Sequence, residues 1–117
     1  MSDSMPLPFW QSHPCPPWCA ITHTDTDFPE DRIHRPDSEL AAVPLTINDP
    51  VHCQRPNDSW YFEPPLLRVD LEQHTRETAP RILLSEPNSV GYTLTTTEAL
   101  TIGHALVKAG KLANETP

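Results

Sequence analysis

Glycine is nearly missing from this chain, with three residues in 117, at Gly91, Gly103 and Gly110. They stand too far apart for a G-x-G-x-x-G or Walker loop, so a backbone cradle for nucleotide phosphates is excluded. Basic residues are scarce as well: eight Lys and Arg face sixteen Asp and Glu, a formal charge of -8. Binding to a phosphate backbone rests on Lys and Arg releasing counterions, so no nucleic-acid partner is expected. The deficit is concentrated early, with ten acids against three Arg through Glu63. No apolar run approaches the eighteen or so residues needed to cross a bilayer, so no membrane span is expected. The opening Met-Ser-Asp-Ser-Met-Pro has neither the basic start nor the apolar stretch of a secretory signal, which points to the cytoplasm.

What the chain does have is proline, fifteen residues of it, nine within the first 50. Interior proline breaks helices, so the first third is read as irregular. Residues 1–12 read as a flexible tail and 13–117 as a single domain, divided into a lobe over 13–40 and a sheet plus helix over 41–113. From Leu40 the chain alternates through Val43, Leu45 and Ile47, an edge strand in view of Pro44. Residues 49–57 read as a loop. Leu67, Val69 and Leu71 alternate with Arg68, Asp70 and Glu72, the pattern of a half-buried strand. Further strands are expected at Ile82–Leu84 and Tyr92–Thr95, joined by turn chemistry over Glu86–Gly91. Thr95-x-x-Glu98 can form a capping box, and Ala99, Ile102, Leu106, Ala109 and Ala113 follow at helical spacing. The expected fold is α+β: a small antiparallel sheet of three to four strands, one C-terminal helix lying across a face, and an irregular Pro-rich lobe in front.

Three cysteines and six histidines carry the chemistry. Cys15, Cys19, His23 and His34 supply two thiols and two imidazoles, the donor complement of a closed tetrahedral zinc site. Pro16 suits the first position of a helical turn, which would put Cys15, Cys19 and His23 on one helical face, with His34 returning to close the set. Bound zinc would hold the four donor atoms within about 4 Å of one another. Because the spacing is not the common C-x2-C knuckle, free thiols beside solvated histidines remain the other reading. His13 precedes Pro14 in the tail and reads as solvated. His52 and Cys53 are adjacent on extended chain, so their side chains point to opposite faces and do not form a thiolate-base pair. Asp25, Asp27, Glu30 and Asp31 lack the central Gly and terminal Glu of a calcium loop and read as solvated. Trp10, Trp18 and Trp60 read as plugs on irregular segments.

The run Cys15-Pro16-Pro17-Trp18-Cys19-x-x-x-His23, followed by Pro29-Glu30-Asp31-Arg32-Ile33-His34, resembles the opening of a family of small actinobacterial proteins with a domain of unknown function. The resemblance continues loosely through Pro65–Leu71 and Leu94–Leu100, a strand and then an Ala- and Leu-rich helix. It implies a bacterial cytosolic setting and a metal clip at Cys15, Cys19, His23 and His34, and it implies no activity. Pro17 stands where the family varies, and the loop between His34 and Leu66 carries no motif that adds to the resemblance.

A structural zinc in a protein-interaction or regulatory module accounts for every feature, with an unidentified protein or a second copy paired through the sheet edge as partner. An enzyme would instead keep Cys15, Cys19 and His23 around an open metal position with Glu30 as base, but four candidate donors favour closure. An acidic nucleic-acid mimic is the third class, weakened by the Pro and Arg that interrupt its charge.

Overall fold

The structure, a computed structural model, describes residues 6–86 and 89–115. The organising element is β5, Leu66–His74, preceded by β1 (Ile33–His34), β2 (Ala41–Pro44) and the pair β3 (Val51–Gln54) and β4 (Trp60–Glu63). After it come β6 (Arg81–Ser85), β7 (Tyr92–Leu94) and α1 (Thr96–Asn114). β2 and β1 lie in tandem along one edge of β5, in register at Val43↔Leu67 and His34↔Gln73, and β6 and then β7 continue from the other edge. All pairings are antiparallel, giving a five-stranded sheet where three to four strands were expected.

Side chains paired across an antiparallel ladder share a face, and alternate positions along a strand return to it. Val69 opposes Ala41 and Leu84, Leu84 opposes Tyr92, and Leu71 opposes Ile82, which opposes Leu94. One face is therefore apolar. The other carries Arg68, Asp70 and Glu72, with Glu72 opposite Arg81. This alternation is the reason β5 forms where the sequence pattern puts it. Pro44 ends β2 at the sheet's rim, where its missing N–H costs no ladder bond. The strand begins at Ala41 and stops before Leu45 and Ile47, earlier than the alternation suggested.

Residues 49–57, expected as a loop, contain a strand. β3 pairs with β4 as a separate hairpin around Arg55–Ser59, where Arg55 N–H donates to the Ser59 carbonyl and Asp58 takes φ 67°. Pro56-Asn57-Asp58 is ordinary turn chemistry between residues that can pair, and the His, Gln and Cys of β3 hid it. In the expected turn at Glu86–Gly91, Pro87 and Asn88 lie outside the described residues. Gly91 has φ 70°, and a Cβ there would meet the Leu84 carbonyl oxygen, so glycine is required.

α1 begins as the sequence indicates: the Thr95 hydroxyl accepts from Glu98 N–H at 3.1 Å and Glu98 Oε1 accepts from Thr95 N–H at 2.8 Å. Its placement differs. Only Ala99 and Gly103 are half-buried, every other described position of the helix is exposed, and Leu106 is 67% exposed. Thr95 alone separates β7 from α1, and the exposure of the helix beyond Gly103 shows that it does not bury its stripe on the sheet. Among the described residues no Ala, Val, Ile, Leu, Phe, Tyr or Trp side chain is buried; the buried positions are Gln11, His34 and Pro65. No helix among them is long and apolar enough to cross a membrane.

Candidate metal centre

Two of those three buried residues lie at one place. Gln11 ends a turn closed by its own N–H on the Pro8 carbonyl, and its side-chain amide donates to the His13 carbonyl at 2.8 Å and to Cys15 Sγ at 3.4 Å. Phe9 and Trp10, in the segment read as a tail, also join the site: Trp10 stands edge-on to His23 and donates its indole N–H to the Thr24 carbonyl. The Arg32 guanidinium lies over both rings, 5.1 Å from the Trp10 centroid, a cation–π contact of about 0.5–1 kcal/mol at an exposed site.

The helical face expected for Cys15, Cys19 and His23 is not formed. A tight turn replaces it, with Cys19 N–H donating to the Pro16 carbonyl at 3.0 Å, and the chain continues without helix to His23. Three ring-fixed residues, Pro14, Pro16 and Pro17, limit the entropy lost in ordering this turn. Ala20 N–H then donates to the Arg35 carbonyl at 2.8 Å, which stitches the turn to β1. His34 sits on β1 opposite Gln73 of β5, so the sheet positions the fourth donor. Trp18 closes over its ring edge-on at 6.5 Å.

The four donor atoms of Cys15, Cys19, His23 and His34 converge within 4.8 Å of one another and can hold a metal ion. His23 Nε2 lies 3.6 Å from Cys19 Sγ and 3.3 Å from His34 Nδ1. A tetrahedron with bonds of about 2.3 Å to sulfur and about 2.0–2.1 Å to nitrogen has S···N edges of about 3.5 Å and N···N edges of about 3.3 Å. Both measured separations match such edges. The outer limit of the cluster is wider than the ~4 Å expected of an occupied site.

Behind His23 is a carboxylate that the sequence reading set aside as solvated. His23 Nδ1 is buried without a hydrogen-bond partner among the described residues, and Asp27 Oδ2 lies 3.7 Å away. Asp27 is held by Thr24, whose hydroxyl donates to Oδ1 at 2.8 Å and whose N–H donates to Oδ2 at 3.2 Å. These bonds, with His23 contributing, hold the Asp27 carboxyl below its ordinary range. A carboxylate behind a ligating imidazole fixes its tautomer and orientation. The sequence signal was an acid four residues after a candidate ligand.

Burial pushes the Cys15 thiol upward; the Gln11 hydrogen bond opposes this and nearby Cys19 adds to it. Burial also pushes His34 below the ordinary imidazole range, helped by His23 and His74. The site thus favours the thiol form of Cys15 and the neutral form of His34. A bound cation reverses that preference for the thiols and uses the imidazoles in their neutral form.

The remaining candidates lie elsewhere. His13 is exposed and offers the site only its carbonyl. Glu30 is exposed in the single 3-10 turn Pro29–Asp31 and belongs to no metal-capable group among the described residues. On the hairpin, His52 stacks on Phe62 and tilts against Trp60, while Cys53 lies 3.4 Å from Glu63 Oε1. All three rings are exposed, with Phe62 at 66% and Trp60 at 55%, so Trp60 is no plug.

No curated protein and no solved structure matches this sequence. A family model described as a domain of unknown function, DUF6907, matches residues 6–116 and so takes in the Pro8–Gln11 turn, all four donors, the sheet and the helix. The chain belongs to the DUF6907 family.

Proposed function

We propose that Cys15, Cys19, His23 and His34 bind one zinc ion in a closed site whose role is structural, within a cytoplasmic module that engages another protein. The observation that carries this reading is the pair of separations at His23, 3.6 Å to sulfur and 3.3 Å to nitrogen, which suit a tetrahedral ion with two sulfur and two nitrogen donors. Borderline-soft zinc is the divalent ion most at home in such a set. Four protein donors leave no position for a reacting water, which favours structure over catalysis.

The surroundings support the same conclusion. With Gln11 and His34 among the few buried residues, the clip has little apolar surface to offset the entropy of ordering its chain. Metal binding would supply that free energy, as it does in small zinc domains. The experiment is metal analysis of the purified chain. Native protein should carry about one zinc per chain; Cys15→Ser should lower the ratio and Cys53→Ser should leave it unchanged. Equal metal content in all three proteins would refute the assignment.

A further inference from the structure

Beside the clip, where the connection from β5 to β6 faces the segment before Cys15, lies a cleft of about 710 Å³. Its volume falls in the range of small-ligand pockets. Arg32 and Arg76 line it together with Ser12, Thr75 and Thr78, and Glu77 is the one acid among the described residues that does so. That acid is already committed. Glu77 Oε1 accepts from Arg81 at 2.7 Å and from the His74 N–H at 3.0 Å, so its charge is matched by a guanidinium of β6 that does not line the cleft. The two arginines of the cleft have no such match, since neither is in an ion pair among the described residues.

Arg32 is held ready for a ligand. It is half-buried, its guanidinium lies over the Phe9 and Trp10 rings, and its Nε donates to the Asp27 carbonyl at 3.2 Å. Its ordering entropy is therefore lost on folding and not on binding. Both terminal nitrogens, Nη1 and Nη2, are without a hydrogen-bond partner among the described residues, which leaves the planar fork that grips oxyanions unused. Arg76 stands on a turn fixed by the Glu77 N–H on the His74 carbonyl at 2.8 Å and by its own N–H on His74 Nδ1 at 3.1 Å. The Thr75 N–H donates to the Arg32 carbonyl at 3.0 Å, so the two arginines sit on segments that are bonded to each other.

We propose that this cleft binds a small soluble phosphate monoester, with its phosphoryl group held between Arg32 and Arg76 and with the hydroxyls of Ser12, Thr75 and Thr78 as further donors. A phosphoryl dianion offers three acceptor oxygens and balances two guanidiniums, whereas a monocarboxylate balances one.

Titration of the full purified chain with inorganic phosphate and with phenyl phosphate, followed by amide NMR, tests this. Both probes should saturate with a dissociation constant below about 10 mM and shift the amides of Arg32 and Thr75–Thr78, and acetate should bind at least about 10-fold more weakly. Arg76→Gln should weaken phosphate binding about 10-fold, and Arg32→Lys should do the same because it keeps the charge and loses the fork. Arg68→Gln, at an exposed arginine on the polar face of the sheet, should change nothing. Arg76 is exposed, so its replacement leaves the fold intact even where a change at Arg32 loosens the clip. Absence of saturation overturns the proposal. An equal loss in Arg68→Gln overturns it too, because phosphate is then gathered by diffuse charge, and so does acetate binding as tight as that of phosphate.

Discussion

The two parts of this molecule solve the problem of holding a chain in place by opposite means. Residues 6–34 have almost no regular structure, yet they bring four metal-capable donors, a positioned carboxylate and two edge-on tryptophans to one point. Residues 66–115 have long ladders and a capped helix, yet none of the described residues among them is buried. Regularity and closure are separate properties. Backbone pairing and an amphipathic pattern are enough to define β5, β6 and α1, but an apolar face without a cover adds little stability. The clip has few apolar residues and depends on polar convergence, which an ion can turn into net binding.

The two parts meet at His34, a candidate ligand on one side and a strand residue on the other, and this is where the contrast is most easily broken. His34→Ala removes one donor from a set of four, so metal affinity should fall by about 100- to 1,000-fold. Competition with a chromophoric chelator would read that loss. Asp27→Asn keeps the donors and weakens the orienting charge behind His23. A loss of about 10-fold in affinity is expected, with stoichiometry at saturating metal unchanged.

On the sheet side the effects should be smaller and independent of metal. Gly91→Ala forces a Cβ toward the Leu84 carbonyl at φ 70°, costing roughly 1–3 kcal/mol in denaturant unfolding. Thr95→Ala removes half of the capping box and should cost about 1 kcal/mol of helix stability. The smallest effect involves pH. Glu77 accepts from Arg81 at 2.7 Å and from His74 N–H at 3.0 Å, and these bonds hold its carboxyl below the ordinary range. A depressed carboxyl contributes stability that is complete above its unfolded value and is lost as pH falls through its folded one. For this surface pair the loss should be slight, and Glu77→Gln should abolish it.

How much of this was legible in the sequence follows the same division. Alternation at Leu67, Val69 and Leu71 and the Thr95/Glu98 box translate directly into β5 and α1, because both patterns are local. The donors Cys15, Cys19, His23 and His34 were legible from residue type, but the helical face meant to unite them was not formed; the Pro16 turn and the Ala20 bond to Arg35 do that work. Gln11 carries no signal in the sequence, Trp10 reads there only as a plug and Asp27 only as a solvated acid, because their places at the site depend on contacts between separate turns. β3 was missed because hairpin pairing is long-range and its side chains are mostly polar or small. The helix was expected on the sheet because its stripe requires a cover, yet apart from Ala99 and Gly103 its described positions stay exposed.

The central claim, that the metal holds the clip while the sheet holds itself, is tested most directly by amide hydrogen exchange on the native chain before and after chelation. Protection should be lost over residues 6–34 and at Gln73–Thr75, where β1 and the Thr75 N–H bond to the Arg32 carbonyl tie the clip to β5. The paired amides of β5 and β6 from Arg68 to Ser85 and the interior of α1 should keep theirs. Loss of protection throughout the chain, or no change at His23 and His34, would contradict it.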